Sequence, residues 1–198
     1  MLKVLRVFLW AVVVTVLAGA AAYVYLERQQ GGATQPMVAI GGPFKLAATS
    51  GGTIDSATMK GKPFAVFFGF TYCPEVCPTT LYEMSSSLGK LGEDAKDLKV
   101  FFVTVDPERD TLDFMTNYLT SFDPRIIGLR PSPEELAQIA KFYRVFYEKV
   151  PTSDGGYTMN HTALVYLMDR EGRFFGTLDY EETPEMRLTK LKRLLKDG

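Results

Sequence analysis

The sequence predicts an α/β domain preceded by a single transmembrane helix, and three observations carry that reading. Residues 7–26 (VFLWAVVVTVLAGAAAYVYL) contain no charged side chain. Beyond them, strand-length apolar runs alternate with segments whose apolar residues recur at helical spacing. The final strand pair is joined by a hairpin-type connection, Asp169-Arg170-Glu171-Gly172, ahead of a C-terminal helix.

At about 1.5 Å per residue, a helix over Val7–Leu26 covers a bilayer core of roughly 30 Å. Lys3 and Arg6 precede the run while Glu27 and Arg28 follow it, so the positive-inside bias keeps the N-terminus cytoplasmic and exports the rest. The expected setting is the inner (cytoplasmic) membrane, single-pass, with the soluble domain on the periplasmic or extracytoplasmic side. The mitochondrial inner membrane, with the domain facing the intermembrane space, is the alternative. A cleaved signal peptide competes with the anchor, because Ala18-Gly19-Ala20 and Ala20-Ala21-Ala22 both satisfy the small-residue cleavage pattern. Against it, the apolar run continues through Tyr23-Val24-Tyr25-Leu26. The expected organisation is a membrane anchor or uncleaved signal over 1–28, a flexible linker rich in Gly, Gln and Pro over 29–43, and one folded domain over 44–198. Lys plus Arg number 22 against 23 Asp plus Glu, which excludes a general electrostatic footprint for nucleic acid.

Within the domain, Phe44–Leu46 and Thr53–Ile54 flank Thr49-Ser50-Gly51-Gly52 and read as an extra N-terminal β-hairpin. Pro63–Phe70 is a continuous apolar run, which suits a central strand buried on both faces. Leu81, Met84, Leu88 and Leu91 recur at helical spacing over Pro78–Leu91, and Lys99–Val105 reads as the next strand. Asp106-Pro107 resembles an N-cap followed by Pro at the first helical position, opening a helix faced by Leu112, Met115, Tyr118 and Leu119. Ile126–Leu129 suggests a short strand. Ser132-Pro133-Glu134-Glu135 opens a helix with Leu136, Ile139, Ala140 and Tyr143 on its buried stripe. His161–Met168 and Arg173–Leu178 are expected to be antiparallel neighbours, and a helix from Pro184 to about Leu195 closes the chain. This order, with helices on both sides of the sheet, is the one expected of a thioredoxin-like fold.

Cys73-Pro74-Glu75-Val76-Cys77 follows the central strand and opens the next helix, where a helix N-terminus favours thiolate over thiol. Residues four apart on a helix are about 5–6 Å apart at Cβ, so two thiolates there can share one metal. The same closeness permits a disulfide, and geometry alone does not choose. As a structural bridge it would close a loop too short to constrain much of the unfolded chain. His161 is the only histidine, and a lone histidine is more often a surface or satisfied core residue than a ligand. It is expected at a strand start, after the Gly-rich loop Ser153-Asp154-Gly155-Gly156, where a thioredoxin-like oxidoreductase would carry a proline and this chain has none. Two thiolates and one imidazole make a soft donor set suited to copper, as Cu(I) or Cu(II), and also able to take zinc.

Gly69-Phe70-Thr71-Tyr72-Cys73-Pro74-Glu75-Val76-Cys77-Pro78-Thr79-Thr80, then Val105-Asp106-Pro107-Glu108-Arg109-Asp110-Thr111, then His161-Thr162, together resemble the Sco/SenC family of copper chaperones. The resemblance runs from about Gly41 to the C-terminus. It implies a thioredoxin-like fold, copper held by Cys73, Cys77 and His161, and a role in building the copper A centre of cytochrome c oxidase subunit II. Glu75 stands where many members have Asp. A thiol reductant is an implied partner, and another copper chaperone a further one. The rival activity is a thiol-disulfide reductase that keeps the oxidase copper-site cysteines reduced, with Cys73 and Cys77 as its redox pair. A peroxiredoxin-like peroxidase would carry Thr three residues before its reactive cysteine, and Phe70 stands there. A signalling module sensing oxidant or copper through the same pair is the non-catalytic alternative. Asp106, Arg109 and Asp110 match a family motif, yet a helix cap with a local ion pair explains them without function.

Overall fold

The computed structural model describes residues 2–30 and 39–198. The chain divides into two compact units, Met1–Val38 and Ala39–Gly198. In the first, helix α1 runs over Leu2–Gln30, and its described side chains from Trp10 to Tyr23 are all exposed and uncharged. Among the described residues no helix is long and apolar enough to cross a membrane. The predicted span, Val7–Leu26, runs past the described side chains at both ends. Of the expected linker 29–43, residues 31–38 lie outside the described residues.

The second unit is built on β3 (Phe64–Gly69), whose six residues are all buried. It lies parallel to β4 (Lys99–Thr104), which lies parallel to β5 (Ile126–Arg130). Parallel neighbours need crossovers, and these are α2 (Val76–Leu91) and α3 (Leu112–Leu119). The predicted N-terminal hairpin is present as β1 (Lys45–Ala48) and β2 (Thr53–Asp55), and β1 extends the sheet by pairing antiparallel with β5. On the other side, β8 (Val165–Met168) pairs antiparallel with β3, and β9 (Phe174–Leu178) with β8. The resulting seven-stranded order is β2-β1-β5-β4-β3-β8-β9.

Successive side chains of a strand point to opposite faces, which explains why β3 is apolar throughout. Phe68 meets Tyr143 of α4 (Pro133–Tyr143) on one face, while Phe67 meets Phe102, which stacks on Tyr118 of α3 on the other. Helices therefore cover both faces, as expected. α4 carries the predicted capping box between Ser132 and Glu135, and α5 (Pro184–Asp197) is capped by Thr183. The buried Arg187 of α5 pairs with Glu83 of α2, fastening the two helices.

Two expectations fail. Asp106-Pro107 does not open a helix; α3 begins at Leu112, with the Thr111 side chain accepting from the Phe114 N–H. The Asp106 carboxylate is instead occupied by Arg109 and by the Tyr157 hydroxyl. The expected strand His161–Met168 is divided: β7 (Tyr157–His161) ends at the histidine, and Thr162–Leu164 separate it from β8. β7 pairs with β6 (Tyr147–Pro151) in a separate two-stranded sheet, a hairpin the sequence pattern does not announce.

Candidate metal centre

Cys73 lies in the turn after β3, held by its N–H bond to the Phe70 carbonyl, and Cys77 lies in the first turn of α2. The helix is capped unusually. Glu75 occupies the N-cap position without a side-chain bond, and the Cys77 N–H donates to Cys73 Sγ at 3.4 Å. A sulfur thus takes the place of the usual capping oxygen, satisfying an orphan donor that itself favours a negative acceptor. Cys73 is half-buried and Cys77 fully buried, and no disulfide joins them.

The pair is electrostatically asymmetric. Cys73 is pushed down from 9.0 to about 4, chiefly by the Cys77 side-chain hydrogen bond, with His161 and the Cys77 and Glu75 N–H groups adding against the cost of burial. Cys77 moves the other way, because it donates to Cys73, is buried, and faces the Cys73 charge. One proton therefore resides on the inner sulfur, and the outer sulfur is a thiolate.

His161 completes the group. Its Nε2 is 3.5 Å from Cys77 Sγ, and its Nδ1 is 3.0 Å from the Thr162 carbonyl oxygen. A carbonyl only accepts, so Nδ1 carries a proton toward Thr162, and Nε2 is the ring atom aimed at the sulfurs. Phe70 and Phe67 meet the ring edge to face, at centroid distances of 5.7 and 6.5 Å. The two sulfurs and a ring nitrogen lie within 4.8 Å of one another. Ligand atoms each about 2.0–2.3 Å from one ion can be no more than about 4.6 Å apart, so the set is near metal-binding size and contracts on ligation. Soft donors, an apolar surround and an oriented imidazole fit a thiophilic metal such as copper or zinc.

All three candidate ligands of the sequence analysis are thus brought together. Sequence reasoning named Asp110 only as part of a motif and missed how it supports them. Asp110 is buried and accepts from the Thr71 N–H, the Thr71 hydroxyl and the Thr104 hydroxyl, tying the turn before Cys73 to the end of β4. Burial pushes its carboxyl up, and the Thr104 and Thr71 bonds oppose that. Gly69 was legible only as part of a motif. A Cβ there would sit 2.8 Å from Cys77 Sγ and 2.7 Å from the Phe102 ring, so only glycine lets the strand pass this close to the inner sulfur.

These features define a thioredoxin-like domain that carries a dithiol and an imidazole on one metal-sized site beyond the carboxyl end of its central strand. The chain belongs to the SCO1/SenC family, whose model matches residues 32–196. It is 39% identical over 137 residues to the protein SCO1 homolog 1, mitochondrial, of Arabidopsis thaliana, covering 69% of this chain and 41% of that protein. It is 37% identical over 144 residues to the human protein SCO1 homolog, mitochondrial, covering 71% of this chain and 47% of that one. The chain thus spans less than half the length of these two relatives. Among solved structures, ScoI of Bradyrhizobium japonicum with copper bound superposes with a TM-score of 0.73 at 51% identity, covering 79% of this chain and 99% of that one. ScoI of Arabidopsis thaliana with copper bound gives 0.75 at 34% identity, covering 81% and 100%.

Proposed function

We propose that this protein is a membrane-anchored copper chaperone in which Cys73, Cys77 and His161 hold copper for delivery to the copper A centre of cytochrome c oxidase subunit II. The observation that carries the reading is the convergence of two sulfurs and a correctly oriented Nε2 within 4.8 Å. Copper is favoured over zinc because the ScoI proteins of Bradyrhizobium japonicum and Arabidopsis thaliana are solved with copper bound. The oxidase as recipient rests on the family resemblance. The anchor rests on the uncharged run 7–26 and its flanking charges, which would hold the domain at the outer face of the inner membrane.

Capture would begin at the outer thiolate, Cys73, which needs no deprotonation near neutral pH. Cys77 releases its proton on ligation, so binding strengthens as pH rises. Neutral His161 supplies the third donor, and release proceeds by exchange of ligands with the recipient's own. A Cys73–Cys77 disulfide would remove both thiolates, hence the need for a reductant of the pair. Copper stoichiometry and affinity of the reduced chain, with and without His161→Ala, test the reading; equal tight binding by both removes His161 from the centre.

The reductase reading keeps one observation in its favour, the pairing of an outer thiolate with an inner protonated thiol. Cys73 would attack one sulfur of a partner disulfide and release the other as thiolate. Cys77 would then lose its proton and displace the partner from the mixed disulfide, leaving this pair oxidised and the partner reduced. That activity survives His161→Ala, whereas copper binding by three ligands does not.

A further inference from the structure

We infer that Arg109 is a positioning residue that holds the His161 hairpin in register with the dithiol, an inference that deepens the copper-centre reading and rests on it. The two cysteines belong to the β3–α2 turn, which is continuous with the seven-stranded sheet, whereas His161 ends a strand of the separate two-stranded sheet β6–β7. Nothing in the backbone ladder connects the two. Beyond the short connection over 162–164 to β8, their alignment comes from side chains.

Arg109 touches both. Its Nη1 donates to the Tyr157 carbonyl at 2.8 Å, and its guanidinium carbon lies 3.8 Å from the centre of the Tyr157 ring, at the start of the strand that ends in His161. On the dithiol side the same carbon lies 4.8 Å from the centre of Tyr72, the neighbour of Cys73, and 5.9 Å from that of Phe70, whose ring meets His161 edge to face. Asp106 holds both parts of this clasp, pairing with Arg109 Nε and accepting from the Tyr157 hydroxyl at 3.0 Å. Arg109 Nη2 is buried with no hydrogen-bond partner among the described residues, and aromatic rings pack against the guanidinium. Lysine would supply the charge without the planar fork. The hairpin's other ties to the body include the buried Met159, Tyr147 packed against the core, and the exposed Lys149–Glu108 ion pair.

If Arg109 acts by placing His161, its loss matters only while His161 is there to be placed. The experiment measures copper(I) affinity of the reduced full chain, by competition with a chelator, for wild type, His161→Ala, Arg109→Met and the double variant. Outer-shell changes at metal sites weaken affinity about 10–100-fold, so Arg109→Met is expected to weaken binding about 10-fold in the wild-type background. In the His161→Ala background the expected change is under about 2-fold, the signature of two residues acting through one interaction. Arg109→Met leaves the buried Asp106 without its cation and risks the fold, so Tyr157→Leu tests the clasp from the hairpin side with that ion pair intact. In the metal-free protein, both variants are expected to speed amide hydrogen exchange across Tyr157–His161 and leave that of β3 unchanged.

Equal loss in both backgrounds overturns the inference, since it would show a general structural effect. Wild-type affinity and wild-type exchange in Arg109→Met or Tyr157→Leu also overturn it, provided His161→Ala itself binds more weakly. Equal affinity in wild type and His161→Ala overturns the copper-centre reading first, and the role assigned to Arg109 with it.

Discussion

The two halves of the candidate centre are built differently. The dithiol rests on β3, buried along its whole length and hydrogen-bonded on both sides, and on a turn tied down by Asp110. The imidazole rests on a hairpin whose backbone ladder pairs only with itself, tied to the rest of the domain through side chains such as Arg109 and Asp106, with an exposed tip at 153–156. An isolated two-stranded hairpin is marginal in water, so its place depends on side-chain contacts, and local opening is cheapest where such contacts are few. The difference teaches a division of labour: one part of the fold fixes two ligands, and another supplies the third.

The largest expected effect lies on the rigid side. Cys73→Ser or Cys77→Ser is expected to weaken copper(I) affinity by more than the roughly 100-fold upper range of outer-shell changes, because a thiolate ligand is lost outright. Chelator competition on the reduced protein checks it, and an affinity within 10-fold of wild type would break the account.

Next comes the core beneath the dithiol. Phe68, fully buried against Tyr143 and Tyr166, should cost about 3–5 kcal/mol on Phe68→Ala. Gly69→Ala forces a Cβ against Cys77 Sγ and the Phe102 ring, and overpacking of this kind costs about 1–3 kcal/mol. Denaturant unfolding measures both. Gly69→Ala should also displace the inner sulfur and weaken copper binding, whereas Phe68→Ala changes stability with little effect on affinity. A reversal of that pattern would blur the comparison.

A third prediction uses pH. Between about 4 and the ordinary 9.0, Cys73 is a thiolate in the folded protein and a thiol in the unfolded chain. The folded state binds fewer protons there, so the Cys73 contribution to stability rises with pH across this window and is lost as pH falls through about 4. Cys77, raised rather than lowered, works in the opposite sense above the ordinary value. Reactivity separates the two: alkylation of the metal-free protein at pH 6 should modify Cys73 first and leave Cys77 protected, read by peptide mass spectrometry. Equal labelling would contradict the asymmetry. The smallest effect is expected at the hairpin rim, where Lys149→Ala removes an exposed ion pair with Glu108 and should leave Tm unchanged within error.

Legibility in the sequence followed the same divide. The continuous apolar run around Phe64–Gly69, the helical spacing from Leu81 to Leu91 and the Ser132 capping box reported their elements, because burial and capping are written in local pattern. The cysteines were legible from their spacing at a strand-to-helix turn. The hairpin was not: Glu148, Lys149 and Pro151 of β6 and Asn160 of β7 are exposed, leaving no alternation for the eye to follow. His161 was read as a partner of the sulfurs, beside which it lies, yet placed at the start of a strand it ends. Asp106-Pro107 carried the signature of a cap that it does not form; its local ion pair with Arg109 was expected, but the Tyr157 hydroxyl, 51 residues away, was not, and no local rule reveals it.

The most direct test is X-ray absorption at the copper edge of the reduced, copper-loaded full chain, beside His161→Ala. The account predicts two sulfur scatterers and one imidazole nitrogen in the wild type, with the imidazole signal gone from the variant. Two sulfurs alone in both proteins would contradict it, leaving His161 a bystander and the site a bare dithiol.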